Sequence, residues 1–400
     1  MKFLVIHNDY GTRSGEEVTV DNHCRLLREH GHVVVEYRRS SAEIARRSLG
    51  RTRAFWTGIY NPGARRDIRA LVRRERPDIA FVQNLYPLIS PLILPVLTEE
   101  RVPVLMRVAN FRLVCPNGLF LTKGAICTRC VGGREYWCLF RNCEESVPKS
   151  LGYALRNAVA RRRRWYLDNV AVYITATRFL GRWVTAAGVD AGRIHVVSNP
   201  VPVPAEAELE GVPGDYVGYF GRLSREKGIG LLLEAARACP DVPFRLAGVV
   251  NPSFKLPPAL PDNVEFTGPV HGQTLRDFIQ HSRVVVSPSI CYETFGMSVA
   301  EAMLYARPVI VPAHGVFVEL IKAGETGLFH EPGDAASLAR AVRQVWDNPA
   351  LGSALGSAAR ENAVREYGPD VYYNRFMMAC DAALKHATRA VVVRPVPIGN

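Results

Sequence analysis

Short continuous apolar runs alternate along this chain with longer stretches whose apolar positions recur at helical spacing. Lys2–His7, His32–Tyr37, Ile79–Val82, Val104–Val108, Val172–Thr175 and Ile194–Val197 read as strands. Between them the pattern predicts a helix with Val20, Cys24 and Leu27 on one face and a basic helix through Ile68 and Val72. Further helices are predicted after Pro91, over Ser150–Asp168 and over Thr177–Ala187. The alternation restarts at Asp215–Phe220 and runs through Leu231–Ala238, Phe244–Ala247, Val264–Phe266, Leu275–Ile279, Val284–Val286, Pro308–Val311 and Ala335–Trp346, with a last helix from Tyr367 onward. Strands buried on both faces and separated by helices predict parallel, doubly wound α/β sheets.

The change of register between the halves falls at Asn199-Pro200-Val201-Pro202-Val203-Pro204, a proline-rich hinge followed by Glu206, Glu208 and Glu210. The expected domains are therefore 1–200 and 215–366, joined by a hinge over 201–214. A helix over 367–389 is expected to cross back to the first half, and 390–400 to form a frayed tail.

A length of 400 residues with 48% apolar content supports two cores rather than one. No apolar run has the length to span a bilayer, and Met1–Ile6 leads into a polar loop, so a cytoplasmic protein is expected. The net charge of +12 favours anionic partners or an anionic membrane face. Nucleic acid is not expected, because no basic stripe interleaved with aromatics is present.

The chemistry concentrates in Ser287–Glu301, SPSICYETFGMSVAE. The strand Val284–Val286 stops at Ser287-Pro288-Ser289, and Gly296 opens an apolar helix in which Val299, Met303 and Tyr305 face inward. Glu301 on that helix needs water or a partner, since burying a lone carboxylate is costly. Strand, turn and helix in this order place ligands at a helix N-terminus, where amides favour anions. Glu293 stands beside that turn and Glu301 at most about 12 Å further on. Upstream, Tyr219–Gly228 (YFGRLSREKG) sets Gly221, Arg222 and Lys227 between a strand and a helix start. Two cations beside a glycine turn suit a diphosphate without a divalent metal.

The Glu-x7-Glu pair with Phe295 and Gly296 between, the segment Tyr219–Gly228, and Lys322–Asp334 (KAGETGLFHEPGD) together resemble glycosyltransferase family 4, retaining enzymes of the GT-B fold. The resemblance implies two Rossmann-like domains facing a central cleft and transfer of a sugar from a UDP- or GDP-sugar to an acceptor hydroxyl. It implies that Glu293 reaches the donor sugar and Glu301 the ribose, with Arg222 and Lys227 stabilising the diphosphate. Gly221, Thr294, Phe295, Gly296 and Met297 are expected to line the donor. Gly15, in the loop Gly11-Thr12-Arg13-Ser14-Gly15, is expected to close over the donor or line the acceptor site; that loop lacks GxGxxG spacing. Ser14-Gly15-Glu16-Glu17 reads as a capping box. No cofactor is implied, because the nucleotide sugar is a substrate. A glycan or lipid-linked acceptor in cell-surface polysaccharide or glycolipid assembly is expected. A natural-product glycosyltransferase and a nucleotide-sugar-binding scaffold without turnover stay open.

The resemblance extends through Gln83–Pro91 and Asn110–Gly118, with one departure. Relatives carry His where this chain has Gln83 and Ala109, and Ala109 cannot move a proton. Asn110, Arg112, Gln83 or Asn84 can stand in, or the leaving diphosphate oxygen can take the acceptor proton while protein cations stabilise it.

Within an insert over 110–150 fall Cys115, Cys127, Cys130, Cys138 and Cys143. Four of these sulfurs could form a structural zinc site, and small buried residues are the alternative. Arg161-Arg162-Arg163-Arg164, followed by Trp165 and Tyr166, reads as a solvated run or as a peripheral contact with an anionic inner membrane face.

Overall fold

The computed structural model describes residues 1–10, 15–45, 50–206, 209 and 214–392, the side chains at 45, 50–54 and 389–392 excepted. In chain order the elements are β1 (Lys2–Asp9), α1 (Gly15–Glu29), β2 (Val33–Ser40), α2 (Ala42–Ala45), α3 (Gly50–Ile59), α4 (Pro62–Glu75), β3 (Ile79–Val82), α5 (Ile93–Glu99) and β4 (Val104–Val108). There follow β5 (Leu121–Thr122), β6 (Ala125–Ile126), α6 (Tyr136–Phe140), α7 (Val147–Arg162), α8 (Trp165–Asn169), β7 (Val172–Thr175), α9 (Arg178–Ala186) and β8 (Ile194–Val196). The rest comprises β9 (Tyr216–Phe220), α10 (Ile229–Arg237), β10 (Phe244–Ala247), β11 (Val264–Gly268), α11 (Gln273–Gln280), β12 (Ser282–Val286), α12 (Met297–Leu304), β13 (Val309–Pro312), α13 (Phe317–Leu320), β14 (Leu328–His330), α14 (Ala335–Trp346), α15 (Pro349–Tyr367) and α16 (Pro369–Val392). The chain divides into two compact units. One holds residues 1–119, 128–200 and 372–400, the other 120–127 and 201–371.

The first unit is built on a parallel sheet of order β2-β1-β3-β4-β7-β8. Strand order reverses between β1 and β3, which leaves a crevice at their carboxyl ends. Its core joins Phe3, Val5 and Phe81 of the sheet to Val20, Cys24 and Leu27 of α1. From α16, Tyr372, Phe376, Ala379, Cys380 and Ala383 enter the same core at helical spacing.

The second unit carries a parallel sheet of order β11-β10-β9-β12-β13-β14, reversing between β9 and β12. Its core sets Val217, Phe244, Leu246, Val284 and Val286 against Leu232 and Leu233 of α10 and Leu338 and Val342 of α14. Helix starts are fixed by side-chain caps. Asn61 accepts the Ala64 amide, Thr177 that of Leu180, Asp334 that of Ser337 and Asn348 that of Leu351.

Several expectations change. The single helix over Ser150–Asp168 is two, because Arg164 takes a left-handed conformation (φ 51°) and turns Trp165 into a pocket beside Leu92 and Ala160. Tyr367 ends α15, and Gly368-Pro369 starts α16. The insert is shared: Phe120–Cys127, with the β5–β6 hairpin, belongs to the second unit. Ser14, and with it the capping box, lies outside the described residues; the Glu17 carboxylate accepts the Tyr10 amide. Residues 393–400 of the tail, and 207, 208 and 210–213 of the hinge, also lie outside them.

Phe376 is fully buried against Phe3 and Phe81, with ring centroids at 5.9 and 5.0 Å. Phe376→Ala is therefore expected to cost about 3–5 kcal/mol in urea unfolding; a cost under about 1 kcal/mol would mean that α16 is not part of this core.

Candidate functional site

In the second unit the loops after β9 and β12 meet at the carboxyl edge of the sheet, where strand order reverses. Their contact is set by Gly228, which caps α10 with φ 73°. A Cβ there would lie 1.9 Å from the Pro288 carbonyl oxygen, so only glycine permits this approach. Lys227, one residue earlier, thereby reaches Glu293, with Nζ 2.6 Å from Oε1. The Ser289 hydroxyl donates to the same oxygen at 2.7 Å. Burial drives the Glu293 carboxyl upward, but Lys227, the Ser289 hydroxyl and Arg222 outweigh it and hold it below the usual value. The Lys227 ammonium, disfavoured by burial, is likewise raised by Glu293. Arg222 is half exposed and pairs with Glu226 at 3.0 Å, while its backbone carbonyl accepts the Tyr219 hydroxyl at 2.8 Å.

Gly296, with φ 91°, turns the chain into α12. Along that helix Glu301 is half-buried and has no side-chain hydrogen bond or ion pair among the described residues. Burial alone pushes its carboxyl up to about 7. His314, from the loop after β13, stands beside Ser289 with Nε2 3.2 Å from its carbonyl oxygen, and its ring lies 5.5 Å from Tyr292.

The first unit has its own cleft, of about 350 Å³ including its open mouth, at the carboxyl ends of β3 and β4. Gln83, Asn84, Tyr86, Arg107, Ala109, Asn110, Arg112, Glu16 and Tyr166 line it. Arg112 donates to the Asn84 side chain at 3.0 Å and to the Tyr10 hydroxyl at 3.2 Å, and that hydroxyl donates to Glu16 at 3.0 Å. Burial pushes the Tyr10 hydroxyl up to about 12.

Two family models match the sequence. "Glycosyl transferase 4-like domain" covers residues 14–200, and "Glycosyl transferases group 1" covers 214–348. The chain belongs to glycosyltransferase family 4. Among curated relatives of this family-4 chain, the 2-deoxystreptamine glucosyltransferase of Streptomyces kanamyceticus is 29% identical over 51% of the chain and 59% of its own length. The phosphatidyl-myo-inositol mannosyltransferase of Mycobacterium leprae is 26% identical over 62% of the chain and 68% of its own length. The match thus spans only part of each relative. Solved structures agree in fold: Anabaena HepE with UDP-glucose (TM-score 0.64, 17% identity, 95% of this chain and all of the other) and sucrose-phosphate synthase of Thermosynechococcus elongatus (0.69, 18%, 98% and 99%). The two doubly wound units are those of the GT-B fold.

Of the residues expected at the donor, Gly221, Arg222, Lys227, Glu293, Thr294, Gly296, Met297 and Glu301 all lie on the loops and helix just described. Phe295 is there too, but its side chain is buried with its ring at 5.3 Å from Tyr367, so only its backbone can face a ligand. Gly15 opens α1 in the first unit; Gly11–Ser14 lie outside the described residues. Ser289, Glu226 and His314 were not anticipated. Ser289 carried a readable signal, four residues before Glu293 in the same turn.

Of the insert's cysteines, Cys130, Cys138 and Cys143 pack in one cluster, with the Cys138 and Cys143 thiols hydrogen-bonded to each other. Among the described residues the group with ligand atoms within 4.8 Å of one another is His7, Asp9 and Glu17, where Asp9 already pairs with Arg38 at 2.7 Å. The Cys115 thiol donates to Asn117. Cys138 and Cys143 occupy the two ends of the helix C-cap after α6, with the Cys143 amide on the Cys138 carbonyl at 3.1 Å. No cysteine is in a disulfide.

Glu301 also has a stability signature. Its folded value near 7 exceeds the ordinary 4.5, so the fold binds the extra proton between these values and loses stability as pH rises across that window. The loss approaches about 3 kcal/mol by pH 8. Glu301→Gln should therefore be more stable than the parent by about that amount at pH 8 and nearly equal to it at pH 4.5, read by urea unfolding. An equal gain at both pH values would contradict the burial argument.

Proposed function

We propose that the chain transfers a sugar from a nucleotide-sugar donor to an acceptor hydroxyl, with retention at the anomeric carbon. The observation that carries this reading is the Lys227–Glu293 pair at the strand-order reversal, eight residues before Glu301 on α12, which has no side-chain partner among the described residues. Lys227 and Arg222 meet the diphosphate, helped by the amides at the start of α12 near Gly296 and Met297. Glu293, held ionised, accepts from sugar hydroxyls, and Glu301 accepts from the ribose. In the transfer, the acceptor oxygen bonds to the anomeric carbon as the bond to the diphosphate oxygen breaks, and that oxygen takes the acceptor proton. Ala109 offers no base, which this route does not need. A nucleotide sugar is also the ligand of the Anabaena neighbour, whose structure holds UDP-glucose. A UDP- or GDP-sugar is the donor class, and the cations on these loops make a divalent metal unnecessary.

For the acceptor, the relatives' names point both to an aminocyclitol and to a phosphatidylinositol lipid. A surface of the first unit favours the lipid. Along α7, Val147, Leu151 and Leu155 are exposed (57%, 46% and 39%) on one face, and Phe140 of α6, a helix packed on α7, is 73% exposed. Arg162 continues that face two turns on, and neither it nor Arg163 makes an ion pair among the described residues. Arg161 and Arg164 are instead held by Glu135 and Asp168. An apolar stripe ending in free guanidinium groups fits the interface of an anionic membrane. No helix among the described residues is long and apolar enough to cross one.

Lys227→Met is expected to weaken UDP or GDP binding at least tenfold, measured by calorimetry. Glu293→Gln should keep nucleotide affinity within a few-fold and lower donor turnover at least hundredfold, and EDTA should leave the parental rate unchanged. Nucleotide binding without donor cleavage by the parent, whatever acceptor is offered, would favour the scaffold instead. For the membrane contact, Leu151→Glu with Leu155→Glu should cut sedimentation with phosphatidylglycerol vesicles at least fivefold, and salt should weaken the parent's binding. Equal sedimentation of parent and variant would refute the stripe.

A further inference from the structure

The cleft of the first unit is rich in donors and poor in acceptors. Arg107 is buried at its floor, and its guanidinium donates to two neutral amide oxygens, those of Gln83 at 3.2 Å and Asn199 at 2.8 Å. It has no carboxylate within ion-pair distance among the described residues. Neither has Arg112, nor Arg156, which is buried behind the cleft wall with its guanidinium 4.0 Å from the Tyr86 ring centroid. This is not the habit of the chain, whose Arg38 meets both Asp9 and Asp21 and whose Arg73 meets Glu100. A buried guanidinium without a counter-charge is costly, and burial accordingly pulls Arg107 below its ordinary value.

The neutral side chains point the same way. Gln83 is 2% exposed, and with its oxygen committed to Arg107 its amide nitrogen is buried without a partner. Asn110 has committed its oxygen to the Arg112 amide. Asn84 has spent its oxygen on Arg112 and Tyr86 and its nitrogen on two backbone carbonyls. What remains for a ligand is a set of N–H groups from Gln83, Asn110, Arg107 and Arg112. Glu16 is the single carboxylate lining the cleft, and Tyr10 and Arg112 face it.

We infer that this cleft binds an oxyanion, a phosphate or carboxylate borne by the acceptor. The acceptor comes from the transferase reading above, the charge from the cleft alone. The guanidinium forks of Arg107 and Arg112 match the oxygen spacing of either group, and the Gln83 amide supplies a neutral donor. The ring walls of Tyr86 and Tyr166, hydroxyl to hydroxyl at 3.0 Å, suit an uncharged body attached to that anion. The cleft thereby discriminates against neutral sugar acceptors, which would leave the buried Arg107 uncompensated.

Phenyl phosphate, benzoate and benzyl alcohol, titrated calorimetrically into the full chain at low salt, test this. Phenyl phosphate or benzoate should bind at least tenfold more tightly than benzyl alcohol, and the better of the two names the oxyanion. Arg112→Gln and Arg107→Met should each weaken that anion at least tenfold, and Gln83→Leu several-fold, while UDP or GDP affinity stays within twofold. Should Arg107→Met fail to fold, the half-exposed Arg112 carries the test. Equal binding of benzyl alcohol, unchanged anion binding in Arg112→Gln, or displacement of the anion by UDP or GDP in the parent would each overturn the assignment. Loss of nucleotide binding by the parent with anion binding intact would strike the donor reading and leave this one standing.

Discussion

The second unit depends on one close contact: the backbone of Gly228 against the carbonyl of Pro288. It brings two loops from adjacent strands within reach of each other and so allows Lys227 to lie 2.6 Å from Glu293. A parallel sheet whose order reverses between β9 and β12 leaves a crevice there, because the crossovers on either side leave in opposite directions. The ion pair fixes the ionised state of Glu293 despite its burial, and Ser289 secures its orientation. Glu301 shares the site but not the compensation, so its charge is disfavoured in the empty fold. A ligand that brings hydroxyl donors would relieve that cost, and such a position is where stability is given up for binding.

The two units divide the charge problem differently. In the second, cations and carboxylates are interleaved: Arg222 with Glu226, Lys227 with Glu293. In the first, guanidinium groups crowd one cleft around Ala109 with Glu16 as the one acid in its lining. The interleaved arrangement of the second unit suits a ligand with both a diphosphate and sugar hydroxyls; the guanidinium cleft of the first suits a ligand that is itself an anion.

Much of this was legible in the sequence because it is local. The strands Ile79–Val82, Val104–Val108 and Val172–Thr175 are short and mostly apolar, interrupted by Arg107 and ended by Thr175, and their bounds are those of the fold. The order Gly221, Arg222, Lys227, then Glu293 and Glu301 pointed to loops that the fold brings together at the carboxyl ends of β9 and β12. What was not legible depends on long-range packing. Phe295 looked like a ligand contact until the fold put its ring against Tyr367. The arginine run drew attention away from Val147, Leu151 and Leu155, whose exposure is decided by what α7 does not pack against. The break at Arg164 follows from the pocket that receives Trp165. The start of α15 is a different failure, since Asn348-Pro349 is a readable helix signal.

Hydrogen exchange of the backbone amides with and without saturating UDP or GDP tests the central claim most directly. The account predicts added protection over residues 221–228 and 287–301, the two loops joined by Lys227 and Glu293, with little change over 79–113 in the first unit. Protection confined to the first unit, or none at either loop with nucleotide bound, would contradict it.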